Sequence, residues 1–169
     1  GQFYYGLTDN ETWFHGDSSF TIETFFRLIT TSNSTVDFYS LVEASAFSAG
    51  LVSDGSGDVA LKFKKNDSYL GGSTDMGSFS EGSGWHHVAV VYDADGNTAK
   101  IFLDGTRKYN ASGQSVTATN ASFFAFGVDS IDGFSVEFDN ARVSQGVRYG
   151  GNFIPAMVYD ADNQTIGMY

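Results

Sequence analysis

Along this chain apolar residues recur at every second position in short runs, and clusters of Gly, Asp, Asn and Ser separate the runs. A period of two belongs to extended strands with one face turned to a core, and no window carries the apolar stripe of a helix. Strands are predicted over Gln2–Leu7, Ser19–Ile29, Val36–Glu43, Phe47–Ser53, Asp58–Lys64, Ser68–Leu70, Trp85–Tyr92, Thr98–Leu103, Thr106–Tyr109, Ser122–Gly127 and Phe134–Ser144. The strongest is Ser19–Ile29, where Phe20, Ile22, Phe26 and Leu28 share one face and Thr21, Glu23, Phe25 and Arg27 the other. That half-polar second face predicts a sheet surface that meets water or a ligand. In Trp85–Tyr92 both faces are largely apolar, with Trp85, His87, Ala89 and Val91 on one and His86, Val88, Val90 and Tyr92 on the other. This predicts a central strand, and we expect the Trp85 face to be buried with Phe20, Ile22 and Phe26 between two packed sheets. Asp104-Gly105 is a tight-turn signal between Thr98–Leu103 and Thr106–Tyr109.

So many short strands, spaced by turns, predict a sandwich or a closed barrel. The chain has 169 residues with no linker, low-complexity run or repeat, so one domain over residues 1–169 is expected. Sixteen Phe, nine Tyr and two Trp exclude a disordered segment, and twenty Gly against one Pro supply the turns. A net charge of −11 offers no basic stripe for phosphates, which argues against a nucleic-acid partner and against an anionic membrane surface. No run approaches the roughly 20 apolar residues of a membrane span. With no cysteine there is no disulfide, thiolate chemistry or Cys-ligated metal. The chain begins with Gly1 and shows no signal peptide, so it reads as a processed or excised piece.

Three segments carry a family resemblance. Gly84-Trp85-His86-His87-Val88-Ala89-Val90-Val91-Tyr92-Asp93, continuing to Ile101-Phe102-Leu103-Asp104-Gly105, resembles the signature hairpin of laminin G-like domains. Phe20 to Arg27 resembles their early strand, with Phe25 where the family usually has Trp, and Phe138 to Ser144 resembles their late strand. The tail from Gly146 to Tyr149, with Asn152, Phe153, Pro155 and Asp160 to Thr165, is similar to a version common in phage and marine microbial structural proteins. The resemblance implies an all-β, two-sheet antiparallel jelly-roll sandwich of the concanavalin A-like type. It says little about the ligand, because such folds host many functions.

Catalysis finds little support. His86 and His87 are adjacent on a strand, point to opposite faces and cannot converge on one ion. Glu137 and Asp139 share a strand face, and laminarinase-like glycosidases of this broad fold use Glu-x-Asp-x-x-Glu. The third acidic position is Arg142 here, so the retaining pair of carboxyls about 5 Å apart is missing. There is no Gly-x-Ser-x-Gly elbow and no phosphate loop.

Calcium is the metal that the resemblance implies. Asn10, Asp17, Asp54, Asp58, Asp75, Asp129, Asp132 and Asp139 are hard oxygen donors in loops or at strand ends, although Asp and Asn are equally expected as turn formers. Resembling domains hold the ion at the sandwich rim, which makes Asp17 and Asp139 the best candidates. For a sugar ligand the needed parts are aromatic faces beside polar groups, and Trp13 with His15 in a polar loop, Tyr69 and Tyr149 are the candidates. Asn10, Asn33, Asn66, Asn110, Asn120 and Asn163 each begin Asn-x-Ser/Thr, six acceptors where chance composition gives about two. The combined expectation is a non-catalytic extracellular or virion-surface module that binds a glycan or an exterior protein. The alternative is a capsid decoration, fibre or filament subunit that acts by self-association.

Overall fold

Thirteen strands form among the residues described by the structure, a computed structural model covering 3–6, 18–31, 35–44, 46–72, 75–116, 123–127, 134–160, 162–163 and 165–168. In chain order they are β1 (Phe3–Gly6), β2 (Phe20–Thr31), β3 (Thr35–Ala44), β4 (Phe47–Asp54), β5 (Val59–Lys65), β6 (Ser68–Tyr69) and β7 (Ser78–Phe79). There follow β8 (Trp85–Asp93), β9 (Thr98–Leu103), β10 (Thr106–Ser112), β11 (Phe123–Phe126), β12 (Phe134–Gln145) and β13 (Thr165–Met168). They pair antiparallel into two sheets. The first has the order β1-β11-β3-β4-β5-β6 with β7 also on β5, and the second has the order β10-β9-β8-β2-β12-β13. This is the expected two-sheet jelly-roll sandwich. Two short elements, β7 and β13, lie where no strand was predicted. Each has too few residues to show a period of its own and is defined by its pairing partner.

Period-two patterning places the core. Phe20, Ile22, Phe26 and Leu28 of β2, Val88, Val90 and Tyr92 of β8, and Val143 of β12 face Phe47, Leu51, Leu61 and Phe63 of β4 and β5. Phe20 sits at the centre of an aromatic cluster with Phe47, Tyr92 and Phe124. The hairpin turn forms as expected. Asp104 and Gly105 both take positive φ, 50° and 73°, which only Gly and short polar residues adopt readily.

The central-strand expectation for β8 holds, since it lies between β2 and β9. The expected face does not. His87, Ala89 and Val91 are buried, but on the opposite side of the second sheet from Phe20, Ile22 and Phe26. Trp85 is 37% exposed at the strand's end. Register explains this: Phe26 pairs with His86 and Ile22 with Val90, so the residues sharing Phe20's face are the even-numbered ones. The second face of β2 also departs from expectation, because Thr21, Glu23 and Phe25 are buried rather than wet. The chain's own segment 146–160 lies over them as a strap.

Candidate functional site

The strap builds a sealed polar cluster on the outer side of the second sheet. Glu23 on β2 is fully buried and faces three donors. Arg142 on β12 donates from Nε and Nη2 to Glu23 Oε1 at 2.9 and 2.7 Å, His87 on β8 donates from Nε2 to Oε2 at 3.0 Å, and Tyr149 in the strap donates to Oε2 at 2.8 Å. Phe25, Phe102, Phe153 and Tyr159 close over the cluster, with the Tyr159 ring 4.0 Å from the Arg142 guanidinium. Arg142 reaches Glu23 because β12 slips register between Asp139 and Arg142, where Asn140 takes φ 49°. Without that bulge, strict alternation from Phe138 would aim Arg142 into the core.

Burial alone favours the neutral acid at Glu23, but the hydrogen bond from His87 and the charge of Arg142 outweigh it and hold the carboxyl below its ordinary value. Burial also works against the charged form of Arg142, and Glu23 more than offsets this, so the guanidinium is held more firmly protonated. Burial first, and then the Glu23 charge, push Tyr149 and Tyr159 upward. Glu23 is thus met on both carboxylate oxygens, while His87 Nδ1 and the Tyr159 hydroxyl are buried without a hydrogen-bond partner among the described residues. The cluster's pH dependence follows from linkage. Glu23 is lowered, so the unfolded chain takes up that proton first, and stability present above the ordinary carboxyl range is lost as pH falls through the lowered value. Tyr149 and Tyr159 are raised, so the unfolded chain ionises first, and stability present below about pH 10 is lost as pH rises beyond it. Melting measured from pH 2 to pH 12 should therefore show a neutral plateau with an acid and an alkaline limb. Tyr149→Phe should flatten part of the alkaline limb, and an identical limb in that variant would contradict the assignment.

The remaining sequence candidates scatter. Tyr149 is half-buried, with its hydroxyl on Glu23 and its ring stacked on Phe153 at 3.5 Å between centroids. His86 bonds through Nδ1 to Asp104 at 2.9 Å, so the two adjacent histidines diverge as expected. Glu137 is ion-paired with Arg27 on the outer face of the second sheet, and Asp139 is exposed nearby. Among the described residues no three His, Asp or Glu side chains converge as metal ligands. Asp54 accepts from the Ser56 N–H in its turn, and Asp75 pairs with Lys62. Trp13, His15, Asp17, Asn10, Asn33 and Asn120, together with Asp129 and Asp132, lie outside the described residues.

Tyr69 is the candidate that the fold places on an open surface. It is 43% exposed on β6, and its hydroxyl donates to the Asp37 carbonyl at 3.1 Å. The outer face of the first sheet brings it beside two residues that sequence reasoning missed. Lys64, its register partner on β5, holds Nζ 4.8 Å from the Tyr69 ring centroid and 3.9 Å from that of Phe38 on β3. The two rings meet edge to face at 6.3 Å. Phe38 crosses over Gly50 of β4, where a Cβ would lie 2.6 Å from the ring. Four adjacent strands thus present a fixed aromatic–cation platform floored by Gly50. The alternation of Lys62 and Lys64 was a signal for that face, but nothing local marked Phe38 as outward. A second exposed aromatic, Trp85, carries the Arg27 guanidinium 4.9 Å from its ring centroid, and that charge is already answered by Glu137.

A family model described as the concanavalin A-like lectin/glucanases superfamily matches residues 2–149. Among solved structures, the botulinum neurotoxin serotype C1 binding domain is similar at TM-score 0.59 and 17% identity, over 88% of this chain and 38% of that one. A botulinum neurotoxin type C structure, described by cell entry dependent on two ganglioside molecules, is similar at TM-score 0.58 and 18% identity, over 89% and 37%. The botulinum neurotoxin DC binding domain in complex with rat synaptotagmin II is similar at TM-score 0.56 and 16% identity, over 85% and 36%. The chain spans less than two fifths of each. No curated protein matches it.

Proposed function

The chain belongs to the concanavalin A-like lectin/glucanases superfamily, and from that premise we propose that it is a non-catalytic exterior binding module, extracellular or on a virion surface, that recognises a glycan. The observation that carries this reading is the Phe38–Lys64–Tyr69 platform. Sugar rings stack their C–H faces on aromatic rings, and neighbouring polar groups take the hydroxyls. Structures of similar fold include a botulinum neurotoxin type C structure described by interaction with two ganglioside molecules and a botulinum neurotoxin DC binding domain in complex with rat synaptotagmin II, which suits a binding role. The non-catalytic reading is supported by Glu137 being held by Arg27 and by Arg142 standing in place of the second Glu of the laminarinase-like pattern. Asn66, Asn110 and Asn163 are exposed, as glycan acceptors in an exterior protein must be. A glycan array probed with the wild type and with Tyr69→Ala tests the reading. Retained ligands should weaken by roughly tenfold or more in the variant, about 1.4 kcal/mol, and an unchanged array profile removes the platform from the proposal.

A rim calcium on Asp17 and Asp139 belongs to the same proposal. A bound ion at a hundredfold excess over Kd would contribute about 2.7 kcal/mol. EDTA should then lower Tm by several degrees, and should not do so in Asp139→Asn. A Tm that ignores EDTA removes the ion. Self-association is the second reading, favoured by Ile154, Met157 and Val158, which stand 94%, 56% and 73% exposed on the strap. Light scattering decides it, since a monomer across the micromolar range excludes it.

A further inference from the structure

The three lysines of β5 differ in what answers their charge. Lys62 pairs with Asp75, and Lys65 donates to the Ser115 carbonyl at 2.8 Å. Lys64 meets no carboxylate or carbonyl among the described residues, and its neighbours are the Phe38 and Tyr69 rings. An ammonium carries three N–H donors, and ring faces satisfy its charge only in part. Lys64 is also partly buried, which removes some of the water that would otherwise complete its shell.

Building on the proposed glycan-binding face, we propose that its ligand is an acidic saccharide, bearing a carboxylate or a sulfate, and that Lys64 is the group that pairs with the anion. Tyr69 and Phe38 would bind the sugar body, while the Lys64 donors take the anionic oxygens as charge-assisted hydrogen bonds. The geometry suits this in two further ways. Lys64 is held by rings on both neighbouring sides, and Phe38 is backed by a glycine that admits no Cβ, so the ammonium is positioned before the ligand arrives. The chain's overall charge of −11 does not forbid an anion at this face, because screening limits its reach to about 8 Å at physiological ionic strength. Asp75 is already engaged with Lys62, and Lys62, Lys64 and Lys65 form the densest run of positive residues in the sequence.

Titration calorimetry with paired probes tests the inference and identifies the anion. The carboxylate arm compares trigalacturonate with its methyl ester and sialyllactose with lactose. The sulfate arm compares a heparin-derived tetrasaccharide with its desulfated form. One acidic probe should bind at least tenfold tighter than its neutral partner, and the preference should shrink as NaCl rises from 50 to 500 mM. Lys64→Met keeps the stem on the rings and removes the charge, so it should abolish the preference while the neutral partner binds as before. Lys64→Arg should keep the preference. Equal binding of acidic and neutral partners overturns the inference and leaves the glycan reading standing. A preference that survives Lys64→Met overturns the role of Lys64. No binding in any arm, together with an empty array, overturns both. A melting curve for each variant confirms that the fold is intact.

Discussion

Arg142→Met will lower the unfolding free energy by about 3–5 kcal/mol, because it strands the fully buried Glu23 carboxylate without its cation. Few single changes in this chain should cost more. His87 and Tyr149 would still donate to Glu23, but neither brings the guanidinium's two-bonded grip on Oε1. For a chain of this size the loss corresponds to a Tm drop on the order of 10 °C. Guanidinium denaturation measures the free energy directly. Adding Glu23→Gln to Arg142→Met should recover much of the loss, since the double variant no longer buries an unpaired charge. If the double variant is as unstable as the sum of the two singles, the pair contributes through packing alone and the electrostatic account fails.

Gly105→Ala should rank with it, for a backbone reason. Gly105 takes φ 73°, and its carbonyl accepts the Phe153 N–H at 2.9 Å, which pins the strap to the β9–β10 turn. A Cβ there would lie 1.9 Å from the Phe153 carbonyl oxygen, which no rotamer relieves. Left-handed strain and forced displacement of the strap together come to about 4 kcal/mol. Hydrogen exchange should show the Phe153 amide losing protection before the amides of β8. Gly105→Asn separates the two contributions. Asn tolerates the dihedral but carries the same Cβ, so it should be nearly as damaging as Ala. An Asn variant of wild-type stability would mean that the strap moves aside freely.

Both sites depend on features that local patterning cannot carry. Strict alternation from Val36 would turn Phe38 inward, yet register slips between Val36 and Tyr39 and the ring emerges on the outer face. Tyr69, already a candidate from its place in a weak strand beside polar residues, acquires a role only when β6 folds back to pair with Lys64 and Lys65. Trp85 was misplaced for the opposite reason. Its alternation partners His87, Ala89 and Val91 are buried, and only the end of the strand and the stack with Arg27 bring the indole to the surface.

What the sequence determined by itself is what neighbouring residues decide between them. The positions of every strand but β7 and β13, the Asp104-Gly105 hairpin, the central place of β8 and the divergence of His86 from His87 all follow from a period of two and from turn chemistry. Those rules act over a few residues, so they can be read from a few residues. The tertiary structure decided which faces are wet and which groups meet. Glu23 and Arg142 lie 119 positions apart, and they join only because β12 pairs with β2 and the bulge at Asn140 reverses the facing of every residue after it. A bulge is stabilised by hydrogen bonds and packing from the partner strand, and a strap covers a face only once that face exists. Neither leaves a mark in the local alternation.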